Sequence, residues 1–289
     1  MEYFYHILVM AGLYVVITTS LNLAVGFTGL PAMGHSAFFL VGAYTSALLA
    51  LKAGLSPWFT LFLSGVMGWS VGWIVGILTV RLMGDFLALA TFSFAVICHS
   101  IANNWSELTR GPMGLPGIPS LSFWNIEIDT SLRFLPVVVG FCIMAVVISS
   151  RIVSSPYGRI LQGIREGELV VFSLGLNVLR YKRQIFAFSA LCVAIAGALY
   201  AHYITFIDPS SFTPMESFVM LLMVVFGGMG SLSGSVLGAV LLVVIPEALR
   251  FTGIPGEVAA PLRQVLYGGI LIGLVLYRPQ GLLGTFRWK

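Results

Sequence analysis

The chain has 289 residues, 58% of them hydrophobic and only 9% charged, with a net charge of +4 and a mean hydropathy of +0.98. A soluble domain carries about 25% charged residues, so burial in a soluble core is excluded as the reason for so few charges. Apolar runs of about twenty residues recur along the whole chain, which makes it an all-α, polytopic membrane protein.

The first run, MEYFYHILVMAGLYVVITT, follows no basic residue, and the first basic residue is Lys52. A cleaved signal peptide needs a basic n-region, so this run is expected to remain as a span. Spans are expected at 4–25, 36–51, 58–80, 86–102, 134–150, 184–206, 217–230, 235–250 and 260–277. The second, seventh and eighth are short or interrupted by glycine, so the expected count is about eight to ten, within a single transmembrane domain covering 1–289. Cys98, Cys142 and Cys192 fall far apart in apolar runs and read as small buried hydrophobes.

Basic residues stay on the cytoplasmic side. The segment 151–183 holds six of the fifteen: Arg151, Arg159, Arg165, Arg180, Lys182 and Arg183, opposed only by Glu166 and Glu168. That segment is expected in the cytoplasm, with the N-terminus outside and the C-terminus, RPQGLLGTFRWK, cytoplasmic. Residues 103–133, NNWSELTRGPMGLPGIPSLSFWNIEIDTSLR, are then an external loop. Its prolines and glycines deny it a regular helix through the centre, and Trp105 and Trp124 suit the outer interface.

No catalytic constellation is present. The histidines His6, His35, His99 and His202 lack metal-ligand spacing, there is no GxSxG elbow, and none of Lys52, Lys182 and Lys289 follows a glycine, as a phosphate-binding Walker A loop demands. If ATP drives this chain, another polypeptide holds the nucleotide. Asp85, Glu216 and Glu247 lie near span ends. A proton- or sodium-driven transporter buries ionisable residues mid-span, and none is evident, although backbone carbonyls alone hold sodium in some transporters.

Two glycine-rich segments, 25–44 (VGFTGLPAMGHSAFFLVGAY) and 225–242 (VFGGMGSLSGSVLGAVLL), share a turn, a small-residue stretch and an apolar half-span. Such pairs point to broken helices around a central pathway; ordinary glycine enrichment in membrane helices is the alternative. Gly68, Gly72 and Gly76 clear one face of the third span for close helix packing, within the chain or at a subunit interface.

The stretch Ser155 to Asn177, SPYGRILQGIREGELVVFSLGLN, is too polar to cross a bilayer. Ser155 and Pro156 make a helix start. Ile160, Leu161, Ile164, Val171 and Phe172 recur at helical spacing, and Arg159, Gln162, Arg165 and Glu166 fall largely on the other side, while Gly163 and Gly167 keep the helix short. It reads either as an amphipathic helix on anionic lipid or as a helix docking into a groove of a cytoplasmic partner.

From Ser155 to Ala201 the chain resembles the S-x-x-G-R-x-L-x-A-I-R-E-x-E…G-I-N…K…A-F-x-x-S-A segment of branched-chain amino acid ABC transporter permeases of the LivM type. GLPAMGHSAFFLVGAYTSA, GDFLALATFSFA, LTRGPMGLPGIP, MVVFGGMGSLSGSVLGA, PEALR and RPQGLLG extend the resemblance over nearly the whole chain. Gly163, Gly167, Arg110 and Pro31-Ala32 depart from the family's usual residues. The resemblance implies a non-enzymatic permease subunit in a bacterial inner membrane. It would pair with a second, LivH-like permease on two ATPase subunits, which would hold ATP and magnesium, and take solute from a periplasmic binding protein. No nucleic acid is expected as a partner. Branched-chain amino acids are the implied cargo, with urea, amides or aromatic acids as related possibilities. Segment 151–183 would carry the coupling helix, with Gly158, Arg159, Ile164, Arg165, Glu166, Gly175 and Asn177 docking the ATPase. Loop 103–133 would meet the binding protein through Glu107, Arg110, Glu127, Asp129 and Arg133. Asn22, His35, Phe38, Thr91 and Glu216 are candidates for the translocation path. A stand-alone secondary transporter or channel is the rival reading, and a membrane scaffold a third.

Overall fold

A computed structural model describes residues 2–82, 84–123, 126–128, 130–250, 256–278 and 280–284. In lipid the backbone must satisfy its own polar groups, which helices do internally, and nearly all of the apolar sequence is helical. The helices are α1 (Glu2–Asn22), which runs on as a π-helical turn (Leu23–Phe27), α2 (His35–Ala53), α3 (Pro57–Thr79), α4 (Asp85–Asn104), the one-turn α5 (Ser106–Thr109), α6 (Ser131–Ser154), α7 (Pro156–Glu166), α8 (Glu168–Ser173), α9 (Val178–Ile204), α10 (Pro214–Gly227), α11 (Leu232–Arg250) and α12 (Gly256–Tyr277). Among the described residues four two-residue strands interrupt the helical pattern: β1 (Leu115–Pro116), β2 (Ser122–Phe123), β3 (Ile126–Glu127) and β4 (Phe206–Ile207). β1 pairs antiparallel with β4, Leu115 opposite Ile207, and β2 with β3, Ser122 opposite Glu127.

Each expected span coincides with one helix. Among the described residues six helices (α1 to α4, α6 and α9) are long and apolar enough to cross a membrane, and α10 to α12 contribute shorter apolar stretches. The second span differs from expectation. It is an unbroken 19-residue helix, because the glycine cluster precedes it instead of interrupting it. The helix stops at Gly54, whose φ of 62° suits glycine and whose N–H reaches the Leu49 carbonyl.

The apolar stretches of α1 and α9 are each 72% buried within the protein, that of α6 only 17%, so α1 and α9 form the centre and α6 the periphery. Small residues set the central crossings. A Cβ on Gly68 would stand 2.4 Å from Ala194 Cβ, and one on Gly72 2.5 Å from Ala190 Cβ, so the glycine face of α3 is used against α9 within the chain. Without a hydrophobic drive between helices in lipid, such close approach supplies the association energy.

The two ends of the bundle are distinguishable by their contacts. At one end the Tyr3 hydroxyl donates to Glu247, His6 Nδ1 lies 2.7 Å from the Tyr203 hydroxyl, and that hydroxyl lies 2.9 Å from Ser131 Oγ. The loop after α4 is pinned there: Trp58 donates to the Ser122 carbonyl at 2.8 Å and His202 Nδ1 meets the Pro119 carbonyl at 2.7 Å. At the other end lie α7, α8 and the glycine-rich turns. The N-terminus and segment 155–177 are thus at opposite ends.

Candidate functional site

Segment 155–177 is a two-helix platform. Ser155 caps α7, its Oγ accepting from the Gly158 N–H at 3.3 Å, with Pro156 at the first helical position. Gly158 is required by proximity, since a Cβ there would lie 2.3 Å from the Val153 carbonyl oxygen. Leu161 is buried among Leu23, Phe27 and Ile185, and Ile164 against Val171 and Val178. The chain breaks at Gly167 and α8 folds back, held to α9 by Lys182 and Glu168 at 2.5 Å. Gly175, at φ 80°, turns the chain into α9, whose first turn Asn177 caps by accepting from the Arg180 N–H at 3.2 Å.

The break resets the helical phase. Val171 stays inside, but Phe172 leaves the apolar face on which continuous periodicity places it. Leu169, Val170, Phe172 and Leu174 are 83%, 65%, 69% and 73% exposed. Between α7 and α8 runs a groove of about 490 Å³, walled by Arg159, Ile160, Gly163, Val170 and Leu174. Arg159 and Glu166 are exposed beside it.

Arg165 turns the other way. Its Nη1 donates to the Gly26 carbonyl at 2.5 Å, and its Cγ lies 2.9 Å from where a Cβ on Gly29 would stand. Burial lowers its pKa from the usual guanidinium value, and neighbouring Glu166 partly offsets the shift. Of the seven expected docking residues, Arg159, Glu166, Gly175 and Asn177 are therefore exposed, while Gly158 and Ile164 are buried in the platform's own packing and Arg165 reaches into the bundle.

The glycine-rich segments meet at this same end, not around the middle of the bundle. Asn22, fully buried, donates to the Ser231 carbonyl at 2.9 Å and to Ser235 Oγ at 2.6 Å, and accepts from the Gly230 N–H at 3.0 Å. A Cβ on Gly26 would lie 2.5 Å from the Gly230 nitrogen. The N–H groups of Leu282 and Leu283 donate to the Phe226 and Gly227 carbonyls, both at 2.9 Å, so this C-terminal stretch closes over the second glycine-rich turn. Asn22→Leu keeps the branched side-chain shape and removes three hydrogen bonds; the Gly230 N–H loses its acceptor, while Ser231 and Ser235 stay bonded to each other. At about 1–3 kcal/mol for an unsatisfied group, it is expected to destabilise the protein by about 2 kcal/mol, read as a lowered melting temperature in detergent.

The other path candidates divide in two. His35, Phe38 and Thr91 gather at the start of α2. His35 Nε2 lies 3.0 Å from Ser189 Oγ, its ring is edge-on to Phe38 and Phe186, and Thr91 Oγ1 accepts from the Met33 N–H at 3.0 Å. These three are packed solid. Glu216 lies apart, in the first turn of α10, accepting from the Tyr14 hydroxyl at 3.0 Å. It borders two cavities of about 210 and 180 Å³. Sequence reasoning missed Tyr14, which lines both cavities, Tyr200, which lines the second, and the outward Leu169 and Leu174.

At the opposite end Glu107, Arg110 and Arg133 are exposed. Arg110 holds φ 60°, a left-handed conformation that favours glycine, the residue usual in the family motif. Asp129 and the side chain of Glu127 lie outside the described residues.

The sequence profile described as branched-chain amino acid transport system / permease component matches residues 3–275. A high-affinity branched-chain amino acid transport system permease protein LivM of Salmonella typhimurium (strain LT2) is 34% identical, over 96% of this chain and 69% of its own length. A probable LivM of Methanocaldococcus jannaschii is 25% identical over 96% of this chain and 92% of its own, and the LivH permease of Escherichia coli (strain K12) 24% identical over 94% and 91%. A match over nearly the whole chain, on a polytopic helical bundle with a capped polar platform at one end, places this protein in the family of branched-chain amino acid transport system permease components, as a multi-pass transport subunit and not an enzyme.

Proposed function

We propose that the chain is the translocating subunit of an ATP-driven importer of branched-chain amino acids in a bacterial inner membrane. It works beside a second, LivH-like permease on two ATPase subunits that hold ATP and magnesium, and it receives solute from a periplasmic binding protein. The observation that carries this reading is the platform 155–177. Four large apolar side chains, 65–83% exposed, stand on a base anchored by buried Leu161 and Ile164, and exposed apolar patches mark interaction sites. Leu169, Val170, Phe172 and Leu174 are the anchors, and Arg159 and Glu166 select the partner by charge. The platform faces the cytoplasm by the positive-inside rule, which puts the N-terminus and loop 103–133 outside. Exposed Glu107, Arg110 and Arg133 then face the binding protein. Closure of the ATPases tilts the platform and alternates access to the path.

The test is purification from the native membrane in mild detergent with mass spectrometry of what accompanies the chain. Two ATPases and a second permease are expected with the wild type, and ATPases are expected to be lost from Phe172→Asp, a variant that still inserts. A wild-type chain that purifies free of any ATPase would overturn the importer reading, and ATPases retained at wild-type yield by Phe172→Asp would overturn the docking face.

A further inference from the structure

Glu216 is the carboxylate for which docking and closure supply no task. It sits one turn into α10, and its partner is a neutral hydroxyl, Tyr14, 3.0 Å away. Among the described residues no cation pairs with it. Ionisable side chains inside membrane segments are costly and mark transport pathways.

The two cavities it borders differ in character. The first lies toward the N-terminal end, with His6 and Glu247 in its wall. The second is lined by Leu13, Ile17 and Phe39, with Tyr200 and Ser211 also in its wall. Met10, Tyr14 and Glu216 belong to both, so the Tyr14–Glu216 pair is the partition between them.

We infer that Glu216 receives the ammonium group of the transported solute at this partition, while Leu13, Ile17 and Phe39 receive a short branched aliphatic chain. An anion is repelled by Glu216, which borders both cavities. A bare cation leaves the apolar floor unmatched. An amine carrying an aliphatic body matches both. Few contacts and small volume make the site weak, which a conducting path requires for release. This inference deepens the proposed function and rests on it for the cargo being an amino acid. The fit of an apolar amine rests on the cavity alone.

Two readouts separate these levels. Ligand-observed saturation-transfer NMR on the purified complex uses L-leucine, 3-methylbutylamine and 4-methylpentanoate at millimolar concentration, and uptake of labelled leucine is followed in membrane vesicles with ATP. Wild type is expected to saturate leucine and the amine but not the amine-free acid. Glu216→Gln is expected to abolish both signals and lower uptake at least tenfold, with its ATPases still attached. Leu13→Phe, which fills the second cavity and leaves the carboxylate in place, is expected to do the same, and it carries the test should Glu216→Gln not run as a single species. Amine signal retained in a well-behaved variant, or 4-methylpentanoate binding equal to leucine, overturns the site. Amine binding that depends on Glu216 in a chain without ATPases would keep the site and overturn the importer.

Discussion

Arg165→Glu is expected to abolish uptake while the chain still inserts, purifies and keeps its ATPase partners. Arg165 sits on the platform but bonds to the transmembrane bundle, its Nη1 at 2.5 Å from the Gly26 carbonyl. Gly26 lies in the π-helical turn that ends the first span, and such turns concentrate at functional sites. A helix C-terminus carries a partial negative charge, so a guanidinium is favourable there and a carboxylate is repelled. A hydrogen bond to a charged group is worth about 1.5–3 kcal/mol, and reversing the charge adds repulsion to that loss. Gly26 in turn abuts the Gly230 turn through Asn22, and Leu282 and Leu283 are bonded across the same turn. Arg165 is therefore the rigid link between the proposed docking surface and both glycine-rich turns. Arg165→Lys keeps the charge but loses the planar fork, and intermediate uptake is expected of it. Uptake of labelled leucine in vesicles, read beside co-purification, checks both variants. Normal uptake by Arg165→Glu sinks the link, and loss of the ATPases would return Arg165 to the docking face.

What was legible in the sequence was whatever depends on composition and local chemistry. Among the described residues each of the nine expected apolar runs coincides with a helix, because lipid leaves the backbone no other way to satisfy its polar groups. Ser155-Pro156 marked a helix start because capping needs two adjacent residues and no tertiary context. The prolines and glycines of loop 103–133 excluded a long helix, and the short turns and two-residue strands there follow from the same chemistry. What was hidden depends on phase and on distance along the chain. The turn at Gly167 rotated Phe172 from the expected inner face to the outer, which no continuous helical wheel shows. Arg165 and Gly26 are 139 residues apart, and Asn22 and Ser231 209 apart. Nothing local distinguishes an arginine that serves a partner from one that serves its own bundle. The glycine-rich stretches are turns between helices and not breaks within them, and their position at the platform end shows only in the contacts of Asn22 and Gly26.

The packing of α2 on α9 yields the largest expected effect on stability. A Cβ on Gly42 would lie 2.0 Å from the Ala194 carbonyl oxygen, and one on Gly197 2.1 Å from the Phe39 carbonyl oxygen. Backbone meets backbone on both sides of the crossing, so no side-chain rotation relieves a substitution. Overpacking in a filled core costs about 1–3 kcal/mol where neighbours can shift, and α9 cannot, being held on its other side by the glycine face of α3. Gly42→Leu is expected to cost about 3 kcal/mol or more and to leave the chain inserted but aggregated in detergent, without uptake. Gly42→Ala is expected to lower the melting temperature and keep a single species. Gly140 is the internal control. It lies in helix α6, and a Cβ there meets nothing within 4 Å, so Gly140→Ala is expected to stabilise by about 0.5–1 kcal/mol through helix propensity alone. Fluorescence-detected size exclusion with a thermal ramp orders the three variants. A Gly42→Leu chain that elutes as one species at the wild-type melting temperature would mean that α2 and α9 do not touch where their glycines place them.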